Sequence, residues 1–125
     1  MNKTILIGRL TKNPEFRQTP EGRSVCNFTL AVDRPFKNKD GVRDADFIPV
    51  VIWGKAAEAI ANSCQKGHRL MVEGRIQIRN FDAKDGTKHW ITEIVSTNFE
   101  FIERKNNAVM DSVEAEDPAA PVPAV

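Results

Sequence analysis

The chain lacks the residue patterns that would support a structural metal site, a disulfide framework or a membrane span. It has two cysteines, Cys26 and Cys64, which lie far apart, with no CxxC pair and no clustered histidines. This spacing excludes a zinc site and indicates reduced, partly buried thiols, as in cytosolic proteins. No long apolar run occurs, and the apolar start of the chain is interrupted too early for a signal peptide. We therefore expect a soluble cytoplasmic protein without membrane contact.

Motifs of enzyme chemistry are missing as well. The sequence has no Walker motif, no HExxH motif and no nucleophile elbow. Neither His68 nor His89 has carboxylates or cysteines placed around it for catalysis or metal binding. Asp44 and Asp46 stand in a charged segment, where two carboxylates are more often solvated than paired on a metal. The sequence therefore predicts no enzyme, no metal site and no cofactor.

The charge is divided unevenly along the chain. The 125 residues are 41% hydrophobic, which is enough for one domain of about 100 residues with its own core. Residues 1–107 contain all 18 Lys and Arg but only 13 of the 17 acidic residues, a net charge of +5, whereas residues 108–125 contain four acidic residues and no basic one. We predict a folded domain over residues 1–105 and a disordered, acidic, Pro- and Ala-rich tail over residues 106–125.

Five segments are predicted as strands from their apolar patterns and from the turn residues that bound them. They are Thr4–Leu10, Val25–Val32, Asp46–Trp53, Arg69–Phe81 and a segment from Lys88 towards Ile102.

One helix and two connections complete the predicted order. Lys55–Lys66 changes to helical spacing, and Gly67 follows it as a C-terminal cap. Arg34–Ala45 is predicted as a polar loop that contains Phe36, and Asp85-Gly86 as a hairpin turn. Five strands with one helix between the third and the fourth predict an all-β OB-fold barrel, a fold that typically binds oligonucleotides on its second and third strands.

The third predicted strand has two different apolar faces. Because alternate side chains of a strand point to opposite sides, Ile48, Val50 and Ile52 form an aliphatic core face. The other face carries two large rings, Phe47 and Trp53, about 20 Å apart. Proline cannot donate a hydrogen bond to a sheet, so Pro49 disfavours a strand that is buried on both faces. We therefore predict that the aromatic face is offered to a partner.

The fourth predicted strand places basic residues on the face away from the core. The predicted core face consists of Leu70, Val72, Gly74, Ile76 and Ile78. The opposite face carries Glu73, Arg75, Gln77, Arg79 and Phe81. An aromatic ring among arginines suits single-stranded nucleic acid, because bases stack on the ring while guanidinium groups hold phosphates. The alternative is that Phe81 covers a neighbouring hydrophobic cluster and that the arginines only keep the sheet soluble.

Five stretches of the sequence are specific enough to indicate a family. They read N-K-T-I-L-I-G-R-L-T-K-N-P-E at Asn2–Glu15, N-F-T-L-A-V at Asn27–Val32, A-D-F-I-P-V-V-I-W-G-K at Ala45–Lys55, V-E-G-R-I-Q-I-R-N-F at Val72–Phe81 and W-I-T-E-I-V at Trp90–Val95. Together they resemble the bacterial single-stranded DNA-binding protein family, over about residues 2–104.

The resemblance implies a set of DNA-contacting residues. In that family, aromatic residues at four positions stack on bases, and basic residues lie beside them. By motif position, the aromatic residues are Phe36, Phe47, Trp53 and Phe81, and the basic residues are Lys55 and Arg79. We add Arg34 and Arg75 from their positions in the predicted loop and on the strand face. Trp90, just after the hairpin turn, is left open as a further contact.

The same resemblance implies a function and an assembly. We expect sequence-independent binding and protection of single-stranded DNA during replication, recombination and repair, by a homotetramer associated with the nucleoid. Many members end in an acidic run that closes on Pro-Phe and docks replication and repair proteins. Here the acidic residues lie in Asp111–Asp117 and the sequence ends in Pro123-Ala124-Val125. Replication and repair proteins therefore stay open as partners, without this docking tip.

Two alternative functions use the same fold. In a protein–protein adaptor of a primosome-like replication complex, the aromatic face would be an assembly surface, but the basic residues beside the rings argue against it. An OB-type nuclease would need a carboxylate cluster that holds a divalent metal beside an arginine.

Overall fold

The computed structural model describes residues 1–102 and, further along the chain, the backbone of residues 113–114. Within this described part there are seven strands and one helix. Their bounds are β1 Thr4–Leu10, β2 Glu15–Gln18, β3 Ser24–Lys37, β4 Arg43–Trp53, α1 Lys55–Ser63, β5 Arg69–Asp82, β6 Lys88–Phe101 and β7 Val113–Glu114.

Five of the strands close into a barrel. The order is β1, β5, β6, β4, β3 and back to β1. The pairing of β4 with β6 is parallel, and the other four pairings are antiparallel. The helix follows β4 and precedes β5, which are the third and fourth of the predicted strands. The structure therefore confirms the predicted five-stranded OB-type barrel with a single helix.

The core fills the barrel and is closed by the helix. Inward side chains of β3, β4 and β5 are buried, and α1 buries its apolar side chains against them. The principal members are Cys26, Phe28, Leu30, Val50, Ile52, Ala56, Ala57, Ile60, Leu70, Val72 and Phe99. Both cysteines are free and buried, as predicted. Burial raises the pKa of the Cys26 thiol to about 11 and that of Cys64 to about 12, so neither thiol ionises near neutral pH.

The predicted polar loop Arg34–Ala45 is wrong, because most of it belongs to a hairpin arm. β3 continues to Lys37 and β4 begins at Arg43, and these two residues pair across the arm. The Asn38 side chain accepts hydrogen bonds from the N–H groups of Asp40 and Val42 and so shapes the turn. Both faces of the arm are solvated, so its sequence shows no apolar alternation from which strands could be predicted.

The predicted core face of the fourth strand is wrong at its far end. Ile76 and Ile78 are 44% and 64% exposed. β1 pairs with β5 only as far as Gly74, and beyond this point β5 continues with β6 as a hairpin outside the barrel. Ile76 and Ile78 still share one face of β5, as predicted, but among the described residues no other element packs on that face.

Two features lie outside the predicted elements. β2 was not predicted, because its four residues are all exposed and show no burial pattern. The predicted tail, residues 106–125, lies outside the described residues except for Val113–Glu114, which pair with Asn98 and Phe99 of β6. A membrane span is not found either, because no helix among the described residues is long and apolar enough to cross a membrane.

Gly74 marks the point where the β5–β6 hairpin leaves the barrel, at a register shift between the two strands. We expect Gly74→Ala to lower the free energy of unfolding by about 3 kcal/mol, because the added Cβ would collide with the backbone oxygen of Val95. Urea unfolding measures this. Gly41→Ala is the control: its φ of +77° is unfavourable for Ala, but its surroundings are open, and we expect about 1 kcal/mol. Equal losses would contradict the steric explanation.

Candidate nucleic-acid interface

A cleft of about 360 Å³ lies on the outer side of the barrel, between β4 and the β5–β6 hairpin. The strand register explains which residues meet there: Val51 lies beside both Asn27 and Val95, and Val95 lies beside Arg75. The lining residues are Arg17, Asn27, Val51, Trp53, Arg75, Gln77, Arg79, Glu93 and Val95.

A second cleft, of about 330 Å³, extends the first along β4. It shares Asn27, Arg79 and Glu93 with the first cleft, and Pro49 and Lys12 belong to its further lining. We call the two clefts together the groove. One wall is the outer face of β3 and β4, and the other is the β5–β6 hairpin.

Trp53 stands at one end of the groove and is half-buried. It packs against Val25, Val51 and Val95, a small apolar cluster on the outer side of the barrel. β4 ends at this residue because Gly54 takes a φ of 85°, which favours glycine, and its N–H donates to the Ser24 carbonyl at 2.9 Å. The ring is therefore fixed at the junction of β4 and α1.

Phe47 and Phe36 are the most exposed of the four predicted stacking residues. Phe47 lies two residues before Pro49, on the same face of β4 as Trp53, and is 68% exposed. Phe36 lies on β3 in the hairpin arm, past an irregularity in the pairing with β4, and is 80% exposed. Both rings have room for a base, and Phe47 continues the line of the groove.

Phe81 lies near the tip of the β5–β6 hairpin and stacks on His89. The two are cross-strand partners, with ring centroids 5.4 Å apart and planes inclined by 22°. The His89 ring nitrogen Nε2 contacts the Thr87 hydroxyl at 2.8 Å. Trp90 is exposed too, but it pairs with Asn80, so it belongs to the opposite face of the hairpin.

Arg79 is held by a carboxylate inside the groove. Its Nε donates to Glu93 Oε1 at 2.7 Å, and Gln77 donates to the same oxygen at 3.2 Å. Arg75 in turn donates to Gln77 at 3.3 Å. The side chain of Glu93 is only 10% exposed, and a nearly buried carboxylate needs such partners. Part of the positive charge of Arg79 is therefore compensated within the protein.

The two remaining predicted basic residues lie apart from the groove lining. Arg34, on the hairpin arm, donates twice to Asp46 Oδ1, at 2.8 Å and 3.1 Å. This bond holds the pKa of the Asp46 carboxyl below its usual value and raises that of Arg34. Lys55 is the first residue of α1 and is exposed. The structure thus brings Trp53, Arg75 and Arg79 together in the groove. The other predicted residues lie on the β3–β4 arm or at its base, near the tip of the β5–β6 hairpin, or at the start of α1.

Several residues at the site were missed by the sequence analysis. Arg17 and Lys12 reach the groove from β2 and the segment before it, and Arg23 lies over the Trp53 ring. The only signal for β2 was its position between the turn residues Asn13-Pro14 and Pro20-Glu21-Gly22. His89 was considered only for catalysis and metal binding, because nothing in the sequence indicates that it lies under Phe81.

A closed five-stranded barrel with an aromatic, arginine-lined groove along β3 and β4, its second and third strands, is the architecture of an oligonucleotide-binding OB barrel. Residues 1–102 match the single-strand binding protein family, and the chain belongs to this family. Membership confirms the resemblance found in the sequence and the prediction of a binding protein rather than an enzyme.

Three bacterial relatives illustrate the similarity. Single-stranded DNA-binding protein 2 of Clostridium acetobutylicum is 54% identical over 115 residues, which cover 91% of this chain and 86% of that protein. Single-stranded DNA-binding protein 3 of the same organism is 58% identical over 104 residues, 82% of this chain and 72% of that protein. The single-stranded DNA-binding protein of Clostridium tetani is 53% identical over 107 residues, which cover 85% of this chain and 73% of that protein.

Breaking the Arg79–Glu93 ion pair should lower the free energy of unfolding, whereas breaking the Arg34–Asp46 ion pair should not. Arg79→Ala should lower the free energy of unfolding by about 1–2 kcal/mol, because it leaves a nearly buried carboxylate without its cation. Adding Glu93→Gln should recover most of the loss. Arg34→Ala, at a pair with both side chains about half exposed, is the control and should leave the urea midpoint unchanged. Equal effects at the two pairs would show that the burial of Glu93 does not matter.

Proposed function

We propose that this chain binds single-stranded DNA without sequence preference, by stacking bases on rings along the groove and holding phosphates with the adjacent arginines. The observation that carries the proposal is the lining of the groove, where Trp53 meets Arg17, Arg75 and Arg79. Phe47 extends the same strand face. The three relatives are all named single-stranded DNA-binding proteins, which supports the same ligand.

The chemistry of the groove suits a ligand of any base sequence. Every base has a π-face, so stacking on Trp53 and Phe47 does not select one base over another. Phosphate contacts by arginine are equally independent of sequence. Because Arg79 shares its charge with Glu93, it contributes less to the attraction than its position in the groove alone suggests. Such binding serves the protection of exposed strands in replication, recombination and repair.

The nuclease and adaptor alternatives find less support in the groove. Glu93 is engaged by Arg79 and Gln77, and Asp46 by Arg34, so neither carboxylate is arranged as a metal ligand. Among the described residues, no group of three or more His, Cys, Asp or Glu side chains is arranged to hold a metal ion. Three arginines around a half-buried ring suit a polyanion better than an apolar protein surface.

We also propose that the protein assembles as a homotetramer. β1 pairs with β3 only at Arg9 and Leu10, so the edge of β1 that faces β3 has no strand partner from Thr4 to Ile7 among the described residues. An open strand edge is a template for pairing with another chain. Ile5 and Ile7, on the outer face of the same strand, are 59% and 49% exposed, which adds an apolar surface for association.

Stacking is tested most directly by fluorescence. In a Trp90→Phe background the only indole is Trp53, and oligo(dT) should quench its emission as a base stacks on it. In the same background, Phe47→Ala should weaken binding by about 1–3 kcal/mol, the usual worth of one stacked base. Phe16→Ala is the matched control, because Phe16 lies beside the core residue Cys26 and so on the other face of β2 from the groove residue Arg17, and its loss should leave the affinity unchanged. An unquenched Trp53 with unchanged affinity in Phe47→Ala would refute the stacking groove.

Assembly is tested by the mass in solution. Light scattering of the wild-type protein without DNA should give about four times the chain mass of 14.0 kDa, and oligo(dT) should add only its own mass. Ile7→Glu should reduce the mass, because it buries a charge at the proposed interface. Val42→Glu changes an equally exposed apolar residue at the tip of the β3–β4 arm and should leave the mass unchanged. A monomeric wild-type protein would contradict the assembly.

A further inference from the structure

We propose that Arg23 is a positioning residue for Trp53: its guanidinium clamps the ring against the apolar cluster so that the ring is already oriented towards the groove before DNA arrives. This inference rests on the proposed function, because it concerns the ring on which a base is expected to stack. None of the motifs quoted from the sequence contains Arg23.

The contact itself is defined by one distance. The guanidinium carbon of Arg23 lies over the Trp53 ring, 4.8 Å from its centroid, which is within the range of a cation–π interaction. The ring also packs against Val25, Val51 and Val95. Trp53 is therefore held both by a cation and by an apolar cluster of the barrel.

The strand register explains why Arg23 reaches the ring. Val25 is the direct cross-strand partner of Trp53, and Arg23 precedes Val25 by two residues. Residues at such diagonal positions lie close enough for a long side chain to contact an aromatic ring. The contact is thus set by the pairing of β3 with β4, which also forms the core.

The backbone of Arg23 is fixed by the turn between β2 and β3. The Thr19 N–H donates to the Arg23 carbonyl at 2.8 Å, and the Arg23 N–H donates to the Thr19 hydroxyl at 3.1 Å. The Gly22 N–H closes the turn on the Thr19 carbonyl at 2.8 Å. The backbone of Arg23 is therefore already ordered, which reduces the conformational entropy that is lost when its side chain packs on the ring.

Arg23 contacts the Trp53 ring but lines neither cleft of the groove. Trp53 lines the first cleft together with Arg17 and Arg75, whereas Arg23 is not part of that lining. We expect a base that enters the first cleft to contact the part of the indole that lines it, while the Arg23 guanidinium keeps its place over the ring. Arg23 therefore acts through Trp53, while Arg17 is placed to contact the strand itself.

The test compares Arg23→Ala, Arg23→Lys and Arg17→Ala, all in the Trp90→Phe background, so that the optical signals come from Trp53. In the free protein, Arg23→Ala should weaken the near-ultraviolet circular dichroism of the indole, because a looser ring loses its fixed asymmetric surroundings. Arg17→Ala should leave that band unchanged. Far-ultraviolet spectra and melting curves check that each variant is folded.

Binding of oligo(dT) at several salt concentrations then separates positioning from phosphate contact. Arg23→Ala should bind about two- to fivefold more weakly, the lower range for a cation–π contact, at every salt concentration and with an unchanged slope. Arg23→Lys, which keeps the cation, should fall between wild type and Arg23→Ala. Arg17→Ala should instead make the slope shallower by about 0.7, the value for one phosphate on a single strand.

Two results would overturn the inference. A shallower salt slope in Arg23→Ala would make Arg23 a phosphate contact, and an unchanged indole band with unchanged affinity would show that it holds nothing. Failure of the proposed function has a different signature: the wild-type protein would not bind oligo(dT), or Trp53→Ala would bind as tightly as wild type. The indole band of the free protein tests the clamp in either case.

Discussion

Three residues of parallel pairing between β4 and β6 hold the barrel and the groove together. Val50–Ile52 lie beside Ile94–Ser96. On the inner side, Val50, Ile52 and Ile94 belong to the core. On the outer side, Val51 and Val95 lie next to each other in the wall of the groove. The same few backbone hydrogen bonds therefore close the barrel and bring the Trp53 end of β4 next to the arginines of β5.

The burial of the strands changes where the β3–β4 arm and the β5–β6 hairpin leave this barrel. Inside it, each strand is covered on one side by the core, and Trp53 is anchored there by its apolar cluster. In the β3–β4 arm and the β5–β6 hairpin, both faces are solvated, and Phe36, Phe47 and Phe81 stand on these extensions or at their base. Segments with few buried contacts open at lower free energy than the core. We therefore regard Trp53 as the rigid end of the groove and the hairpin rings as its adaptable end.

Not every basic residue on the surface contributes its full positive charge to the attraction of a ligand. Arg79 and Arg34 each form an ion pair with a carboxylate of the protein. The first pair also satisfies a nearly buried Glu93, so Arg79 has a structural role in the wall of the groove. Arg23 lies over an indole ring. We therefore propose that basic side chains of similar appearance in the sequence have three different tasks, which are phosphate attraction, support of a carboxylate and support of a ring.

The sequence by itself determined the barrel, the helix between its third and fourth predicted strands and the aromatic face of β4, because these depend on local apolar periodicity. The sequence also contains the family motifs from which the positions of the four aromatic residues were predicted. Only the tertiary structure decided that Ile76 and Ile78 are exposed, that Arg34–Ala45 is mostly strand and that β2 supplies Arg17 to the groove. Alternation along a strand predicts which side chains share a face. Whether anything covers that face, and which distant residue lies opposite, depends on where the neighbouring strands end.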